Sequence, residues 1–383
     1  MNYKLGVILL IDLCVLLWQN SFLSISPYEL NELSSNSFNG LFANFALSVF
    51  GNENIRFAYI ILHILSNILL YKISIKYLKN NAYISNIIFN LTPGSLASAL
   101  LINPAGIIIF TSLLLVYLAI KRQFYIFYGV LIACIYIDKA MISLYIACIF
   151  YAYFNRLSKL LILSILLMFA TFIIYGYDFS GRPRGYFLDS LAIMSAVFSP
   201  PLFLYFFYTI YYISFKGKKD LLYCISASAF IICLLLSFRQ KPEIAEFLPF
   251  LLPAIPLIIA NFLTSFKVHL PQFRAKHNVI LFFVLISLVI SFLFVIFNPF
   301  LYRFVDENEH FAKNYHLNKE LAKELKSQGI NEISVRNDNF KVLEFYGILP
   351  CYQNCKIITP CEKGNININF FAKEFSFCLK NEI

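Results

Sequence analysis

Runs of about 20 apolar residues constrain this chain more than any other feature of its sequence. A helix of roughly 20 apolar residues is long enough to cross the hydrocarbon core of a bilayer. With 60% hydrophobic and only 14% charged residues, the chain lacks the polar surface of a typical soluble domain. The candidate spans are 5–23, 57–75, 83–101, 105–120, 124–138, 140–155, 160–177, 191–215, 221–238, 246–266 and 279–300. The sequence therefore predicts a polytopic α-helical membrane protein with about 11 transmembrane helices.

The distribution of charge predicts how the chain is oriented in the membrane. The formal net charge is +10, and the whole excess lies in residues 1–300, because acids and bases balance in residues 301–383. With a cytoplasmic N-terminus, most Lys and Arg residues between the spans fall on the cytoplasmic side, as the positive-inside rule requires. We therefore expect a multi-pass protein of the plasma (inner) membrane with an extracytoplasmic C-terminal domain. The basic charge then reflects membrane topology, and no nucleic-acid partner is expected.

The first apolar run has a second interpretation as a secretory signal peptide. Lys4 would form the basic region of the signal and Leu5–Trp18 its apolar region. The apolar region is long for a signal, and no Ala-x-Ala cleavage sequence follows it. These features favour an uncleaved first span.

Residues 301–383 predict a small extracytoplasmic α/β domain that is separate from a transmembrane domain of residues 1–300. Asn318–Gln328 has the spacing of an amphipathic helix, with Gly329 as its C-terminal cap. Glu332–Arg336 alternates as a strand does, and Phe340–Tyr346 has the pattern of a second short helix. Helices and a strand in so short a segment indicate a mixed fold.

Four cysteines lie close together near the end of this domain. Outside the membrane they are expected to form two disulfides, for which three pairings remain open. A zinc site is the alternative, but the spacing contains no Cys-x2-Cys pair and no histidine lies nearby. The pattern favours disulfides among Cys351, Cys355, Cys361 and Cys378.

Asp12 and His63 are ionisable residues well inside predicted spans. An ionised aspartate near the centre of a bilayer costs about 2.5–3.5 kcal/mol, so such residues usually face the bundle interior and have a partner. We expect this of Asp12 in the first span. His63 in the second span is expected to form a hydrogen bond with a neighbouring side chain.

Several motifs make the chain resemble the GT-C superfamily of membrane glycosyltransferases. Within it, the likeness is to glycosyltransferase family 39, the branch of protein O-mannosyltransferases and lipid A aminoarabinose transferases. The first outer loop, residues 24–56, contains the acid Glu29 and a predicted interfacial helix, and Phe50-Gly51-Asn52-Glu53 with Arg56 opens the second span. Asp138-Lys139 is similar to the branch's Thr-Lys-Gly turn, and Phe247-Leu248-Pro249 is similar to its late span entry.

The resemblance implies an inverting transfer of a sugar from a polyprenyl-phosphate carrier to a lipid, glycan or protein acceptor at the outer face. Glu29 is the implied catalytic base, because a carboxylate must take the acceptor's proton, and Asp138 is a supporting acid. Fixed cations stabilise the departing phosphate, and the candidates are Lys139, Arg182, Arg184, Arg239 and Lys241. No metal site is predicted; the outer acids permit a divalent cation, but no ligand spacing identifies one. Membrane lipids are the remaining expected partners.

Departures from the branch's motifs keep other functions open. Tyr28 stands where the branch usually has Asp, Ser37-Phe38-Asn39 lacks its basic residue and Pro-Pro, and Ala140 replaces a Gly. In the alternative interpretation Glu29 is an ordinary loop acid, and the arginines bind anionic lipid headgroups or pair with nearby acids. The alternative functions are a secondary transporter or lipid flippase, although no repeat relates the two halves, and an inactive membrane scaffold with an extracytoplasmic binding domain.

Overall fold

The computed structural model of the chain describes residues 3–176, 185–238, 244–268, 271–305, 309–336, 339–352, 355–361, 364, 366–371 and 373–381. Its internal contacts divide the chain into two compact units. The helical unit comprises Met1–Leu16, Ser37–Asn39 and Ala58–Phe292. The C-terminal unit comprises Leu17–Asn36, Gly40–Phe57 and Leu293–Ile383. Most of the first outer loop therefore belongs to the same unit as the C-terminal residues, and not to a domain of residues 1–300 as predicted.

Helices account for most of the described chain. They are α1 (Tyr3–Phe22), α2 (Pro27–Ser34), α3 (Phe38–Phe50), α4 (Phe57–Leu78), α5 (Tyr83–Leu91), α6 (Pro93–Leu100), α7 (Ala105–Ile120), α8 (Phe124–Ala133), α9 (Met141–Phe154), α10 (Ser158–Tyr175), α11 (Phe187–Phe198), α12 (Pro200–Lys216), α13 (Leu221–Ser237), α14 (Ile244–Leu251), α15 (Ile255–Val268), α16 (Pro271–Ile296), α17 (Asn318–Ser327) and α18 (Phe340–Phe345). Short 3₁₀ turns lie at Lys79–Asn81, Cys134–Tyr136, Leu252–Ala254, Asn298–Arg303 and Lys313–Tyr315.

Apolar helices of membrane-spanning length confirm that this is a helical membrane protein. By length and composition, 5 helical segments of the described chain qualify, or up to 7 if each of two bent helix pairs forms one span. The full set of 11 predicted spans is not confirmed. Several predicted spans correspond to helices shorter than 18 residues, among them α9 and α13, with 14 and 17 residues.

Prolines explain why two of the predicted spans are not continuous helices. The residue before a proline is driven out of the α conformation, and Thr92 has ψ 131° immediately before α6 begins at Pro93. In the same way α11 ends at Phe198, and α12 begins at Pro200. Between them Ser199 adopts a left-handed φ of 77°, and the two helices meet at 107°. The hydropathy pattern predicted one helix in each place because it does not register these breaks.

Small side chains hold the helices of the helical unit together. α9 packs against both α10 and α13, and α13 packs against α14. α9 buries Ala147 and Ala152 and α13 buries Ala227 and Ala229, which is typical of interfaces between helices in membranes. The Ser228 hydroxyl donates across the α9–α13 interface to the Ser143 carbonyl at 3.3 Å. These small side chains let α9 and α13 approach closely beside buried Leu144, Leu222 and Ile225.

The strands lie near the C-terminus and form two small sheets. β1 (Glu332–Ser334) pairs in parallel with β2 (Leu349–Cys351), while β3 (Lys356–Pro360), β5 (Lys373–Asn381) and β4 (Ile366–Phe370) form an antiparallel sheet in that order. β4 alternates buried and exposed residues, as a strand with one covered face does. Its buried face joins Leu321 and Leu325 of α17 in one apolar core. The predicted amphipathic helix is thus present, with Gly329 at φ 73° just after it.

The structure pairs the four C-terminal cysteines with one another. Cys351 is joined to Cys355, and Cys361 is joined to Cys378. The second bridge links the residue after β3 to β5, which lies beside β3 in the sheet. Of the three pairings that the sequence left open, this is the one in which each cysteine is bonded to the next cysteine along the chain.

Candidate functional site

The Ser26–Glu29 segment forms a capping box at the start of α2. Ser26 has the extended backbone of an N-cap residue (φ −97°, ψ 160°), and its hydroxyl accepts the Glu29 N–H at 3.2 Å. In return the Ser26 N–H donates to Glu29 Oε2 at 2.9 Å. Pro27 occupies the first turn, where its missing N–H has no helical partner to lose. This local pattern fixes the position of the Glu29 carboxylate.

Arg56 completes a buried ion pair with Glu29. Arg56 Nη2 lies 2.8 Å from Glu29 Oε2, and the two side chains are 3% and 1% exposed. The same guanidinium donates to the Leu23 carbonyl at 3.2 Å and to the Ser24 carbonyl at 2.9 Å. Arg56 therefore joins both ends of the first outer loop. Glu29 Oε2 thus accepts from both the Arg56 guanidinium and the Ser26 N–H.

Two tyrosines from the far end of the chain contact this loop. The Ser24 N–H donates to the Tyr315 carbonyl at 2.9 Å, and the Ile25 N–H donates to the Tyr346 hydroxyl at 2.8 Å. Burial raises the pKa of both phenols, and for Tyr315 the charge of Glu29 raises it further. Both hydroxyls therefore stay protonated at neutral pH and remain hydrogen-bond donors near the ion pair.

Contacts with the C-terminal residues explain why the outer loop belongs to the C-terminal unit. The Asn52 amide donates to the Phe345 carbonyl at 2.7 Å, and Lys319 Nζ lies 3.4 Å from the Ser21 carbonyl. Hydrogen bonds between residues about 300 positions apart leave no local trace in a sequence. The grouping of the loop with residues 293–383 was therefore missed.

The remaining predicted site residues are only partly described. Lys139 lies in the helical unit, where its Nζ is 2.7 Å from Glu246 Oε1, and Lys139 is 44% exposed against 14% for Glu246. Asp138 Oδ1 accepts the Ala140 N–H at 2.8 Å and so shapes the turn before α9. Arg182, Arg184, Arg239 and Lys241 lie outside the described residues. Glu29, the predicted catalytic base, belongs to the other unit, the C-terminal one.

The intramembrane polar residues have the partners that the sequence predicts. Asp12 is buried, and its Oδ2 lies 3.1 Å from His63 Nε2. The His63 ring also lies 3.1 Å from Asn67 Nδ2, one helical turn further along α4. The expectations for Asp12 and His63 are therefore confirmed. Asn67 is a further member of this group, and its i, i+4 spacing from His63 inside an apolar helix is a signal that the sequence carries.

The positions of the His, Cys, Asp and Glu side chains among the described residues bear on metal binding. Among them, no group of three or more His, Cys, Asp or Glu side chains is placed to hold a metal ion. This part of the chain therefore provides no ligand set for a divalent cation.

No protein-family model matches the chain, and no curated protein matches it. The likeness to GT-C glycosyltransferases therefore depends on the motifs described above and on the chemistry of their residues.

Proposed function

We propose that the chain is an inverting glycosyltransferase that moves a sugar from a polyprenyl-phosphate carrier to an acceptor at the outer face of the plasma membrane. The proposal includes about 11 membrane crossings, a cytoplasmic N-terminus and an extracytoplasmic C-terminal domain. The observation that carries it is the position of Glu29. This carboxylate follows the first apolar helix directly, sits in the first turn of α2, and lies 2.8 Å from the Arg56 guanidinium that precedes α4.

The reaction assigns one role to each kind of residue. Glu29 takes the proton of the acceptor hydroxyl as its oxygen attacks the anomeric carbon. The bond between that carbon and the carrier phosphate breaks, and polyprenyl phosphate leaves. The cations proposed to offset the developing negative charge are Lys139, Arg182, Arg184, Arg239 and Lys241. The proton and both carbon–oxygen bonds are then accounted for, and the reaction as written needs neither an oxidant nor a metal.

Burial of Glu29 adds a requirement to the mechanism. Its side chain is 1% exposed, so an acceptor reaches the carboxylate only when the surrounding contacts of the C-terminal unit open. Ser24 and Ile25, which lead into α2, are hydrogen-bonded to Tyr315 and Tyr346. We therefore expect the rate of transfer to depend on these contacts as well as on the membrane helices.

A secondary transporter or lipid flippase is the second candidate, because Asp12 and His63 form an ionisable pair inside apolar helices. Such pairs mark ion and substrate pathways in many membrane proteins. Flux of a lipid or a small solute across proteoliposomes, without sugar transfer, would favour this candidate. A stable co-purifying partner with neither activity would favour a scaffold.

The test uses full-length protein in proteoliposomes with a radiolabelled polyprenyl-phosphate sugar. Glu29→Gln preserves the shape of the side chain and the capping box but cannot accept a proton. The control is Glu332→Gln, because Glu332 is an exposed carboxylate in the same unit. We expect Glu29→Gln to reduce turnover by about 100-fold or more and Glu332→Gln to leave it unchanged. Full turnover by Glu29→Gln would remove Glu29 as the base.

A further inference from the structure

Five aromatic rings of the C-terminal unit form a closed circuit in which each ring packs against the next. In order around this aromatic circuit, the residues are Trp18, Phe22, Phe371, Phe300 and Phe297. The centroids of consecutive rings are 4.7 to 6.0 Å apart, which are distances at which aromatic pairs interact. The circuit thereby joins three segments that are distant in sequence: the end of α1, the residues after α16, and the turn between β4 and β5.

Two of these three segments leave membrane-spanning helices at the aromatic circuit. Trp18 and Phe22 lie in the last turns of the candidate span Tyr3–Phe22. Phe297 follows directly after the candidate span Asn278–Ile296. Aromatic residues are enriched where spans meet the interface between membrane and water. The circuit therefore belongs at the depth at which both spans leave the hydrocarbon core.

Protein atoms cover the aromatic circuit only in part. Four of its five residues are between 38% and 45% exposed, although each ring touches two others. They are Trp18, Phe297, Phe300 and Phe371. An exposed apolar area made of several adjoining side chains marks a surface that contacts another protein or a membrane. Because two spans end in this area, their position favours lipid as its occupant.

The residues after α16 separate buried from exposed side chains along a 3₁₀ turn. Side chains three residues apart lie on one face of such a turn. Pro299 and Tyr302 are buried, and Tyr302 belongs to the apolar core of the C-terminal unit. The other face carries Phe297, Phe300 and Arg303, all of them exposed. Aromatic rings followed by a cation match the chemistry of a membrane interface, where anionic headgroups lie outside the apolar region.

The backbone of Phe371 is unfavourable for an aromatic residue. β4 ends at Phe370 and β5 begins at its partner Lys373, so two residues connect the strands. Phe371 has a left-handed φ of 51°, which is costly for a bulky side chain and which short hairpin turns usually assign to Asn or Gly. Strain of this kind persists where the surroundings hold the residue, and it is common at functional positions. Here the Phe22 and Phe300 rings pack against the Phe371 ring at the tip of the hairpin.

We propose that the β4–β5 hairpin is a membrane anchor, which inserts the Phe371 ring into the lipid interface beside the ends of α1 and α16. The partner is the headgroup and upper acyl-chain region of the bilayer. The Phe22 and Phe300 rings hold Phe371 at that depth, and Arg303 faces the lipid phosphates. The anchor ties the antiparallel sheet to the membrane through a residue far beyond the last span in sequence, whether or not the chain transfers sugar.

Tryptophan fluorescence of the full-length protein in lipid nanodiscs tests this anchor. Trp18 is the only tryptophan of the chain, so Trp18→Phe combined with Phe371→Trp leaves one tryptophan, at the tip of the hairpin. We expect lipids brominated near the headgroup end of the acyl chain to quench about half of its fluorescence or more, and aqueous iodide to quench little of it. The control is Trp18→Phe combined with Tyr352→Trp, because Tyr352 is an 81% exposed aromatic residue of the same unit outside the aromatic circuit. The control should show the reverse pattern.

Photo-crosslinking of the wild-type protein keeps the test independent of variant folding. The nanodiscs then contain lipids with a diazirine near the headgroup end of the acyl chain, and mass spectrometry locates the adducts. We expect adducts at Phe370 and Phe371 as well as at the ends of α1 and α16. Adducts at the two helix ends without adducts at the hairpin would overturn the proposal, and so would a Phe371→Trp variant that iodide quenches as fully as the Tyr352→Trp variant.

Discussion

The buried ion pair between Glu29 and Arg56 supports a quantitative prediction about stability. Glu29→Gln retains the length of the side chain and an acceptor for the Ser26 N–H, since glutamine also serves at the third position of a capping box. Arg56→Met retains much of the apolar volume but removes the guanidinium. The two variants therefore remove the two charges separately while the packing stays close to native.

The magnitudes follow from the group that each variant leaves behind. Arg56→Met leaves a buried carboxylate without its countercharge, and breaking a buried pair in this way costs about 3–5 kcal/mol. Glu29→Gln is milder, because the guanidinium still donates to the Leu23 and Ser24 carbonyls at 3.2 and 2.9 Å. The loss of a hydrogen bond to a charged group suggests about 1.5–3 kcal/mol. Both costs concern one contact, so the double variant should cost at least about 1 kcal/mol less than their sum.

Hydrogen exchange measured by mass spectrometry gives the opening free energy of the C-terminal unit in the intact protein. The amides of α2 and α17 are the reporters, and the protein stays in nanodiscs in increasing urea. Glu332→Gln is the exposed control and should remain within about 0.5 kcal/mol of the wild type. Costs that add without coupling would refute the reasoning, as would an Arg56→Met variant that loses less than about 1 kcal/mol.

Three further predictions concern the C-terminal unit. Replacing Cys361 and Cys378 by serine opens a bridge that spans 17 residues and should lower its unfolding free energy in urea by about 3 kcal/mol; a change below about 1 kcal/mol would contradict this. Burial lowers the pKa of His316 to about 3, so as the pH falls the unfolded chain protonates this histidine before the folded chain does. The contribution of His316 to the unfolding free energy should therefore be full above pH 6.5 and fall by up to roughly 5 kcal/mol as the pH drops towards 3. His316→Gln should flatten that acid limb, and an unchanged limb would count against the prediction. Trp18 is the only tryptophan of the chain, and its ring lies 5.7 Å from the Phe297 ring, near the predicted outer boundary of the membrane. Its fluorescence should therefore be quenched more by lipids with a quencher near the headgroup than by lipids with a quencher at the end of the acyl chain.

Local signals in the sequence predicted the parts of the structure that depend on neighbouring residues. Apolar runs gave the helical membrane class, and the i, i+4 pattern of Leu321 and Leu325 gave α17. The cost of burying a charge in lipid predicted a partner for Asp12. The Ser26-Pro27-Tyr28-Glu29 capping box was also readable, although the resemblance to a glycosyltransferase motif drew attention to Glu29 for a different reason.

Two kinds of feature were beyond the reach of these local signals. Mean hydropathy over a window does not detect the backbone effect of one proline, so the breaks before Pro93 and Pro200 were missed. Pairing between distant segments was missed as well. The hydrogen bonds from Ser24 to Tyr315 and from Ile25 to Tyr346 join segments about 300 residues apart, and a single sequence carries no information about which distant residues meet.

Turnover by Glu29→Gln, corrected for its folded fraction, tests the central claim most directly. The assay measures sugar transfer from a polyprenyl-phosphate donor by wild type and variant in the same proteoliposomes, with hydrogen exchange reporting the folded fraction of each. If Glu29 is the general base, transfer per folded molecule falls by about 100-fold or more. If Glu29 only holds α2 against Arg56, transfer falls no further than the folded fraction does, and that result would contradict the account.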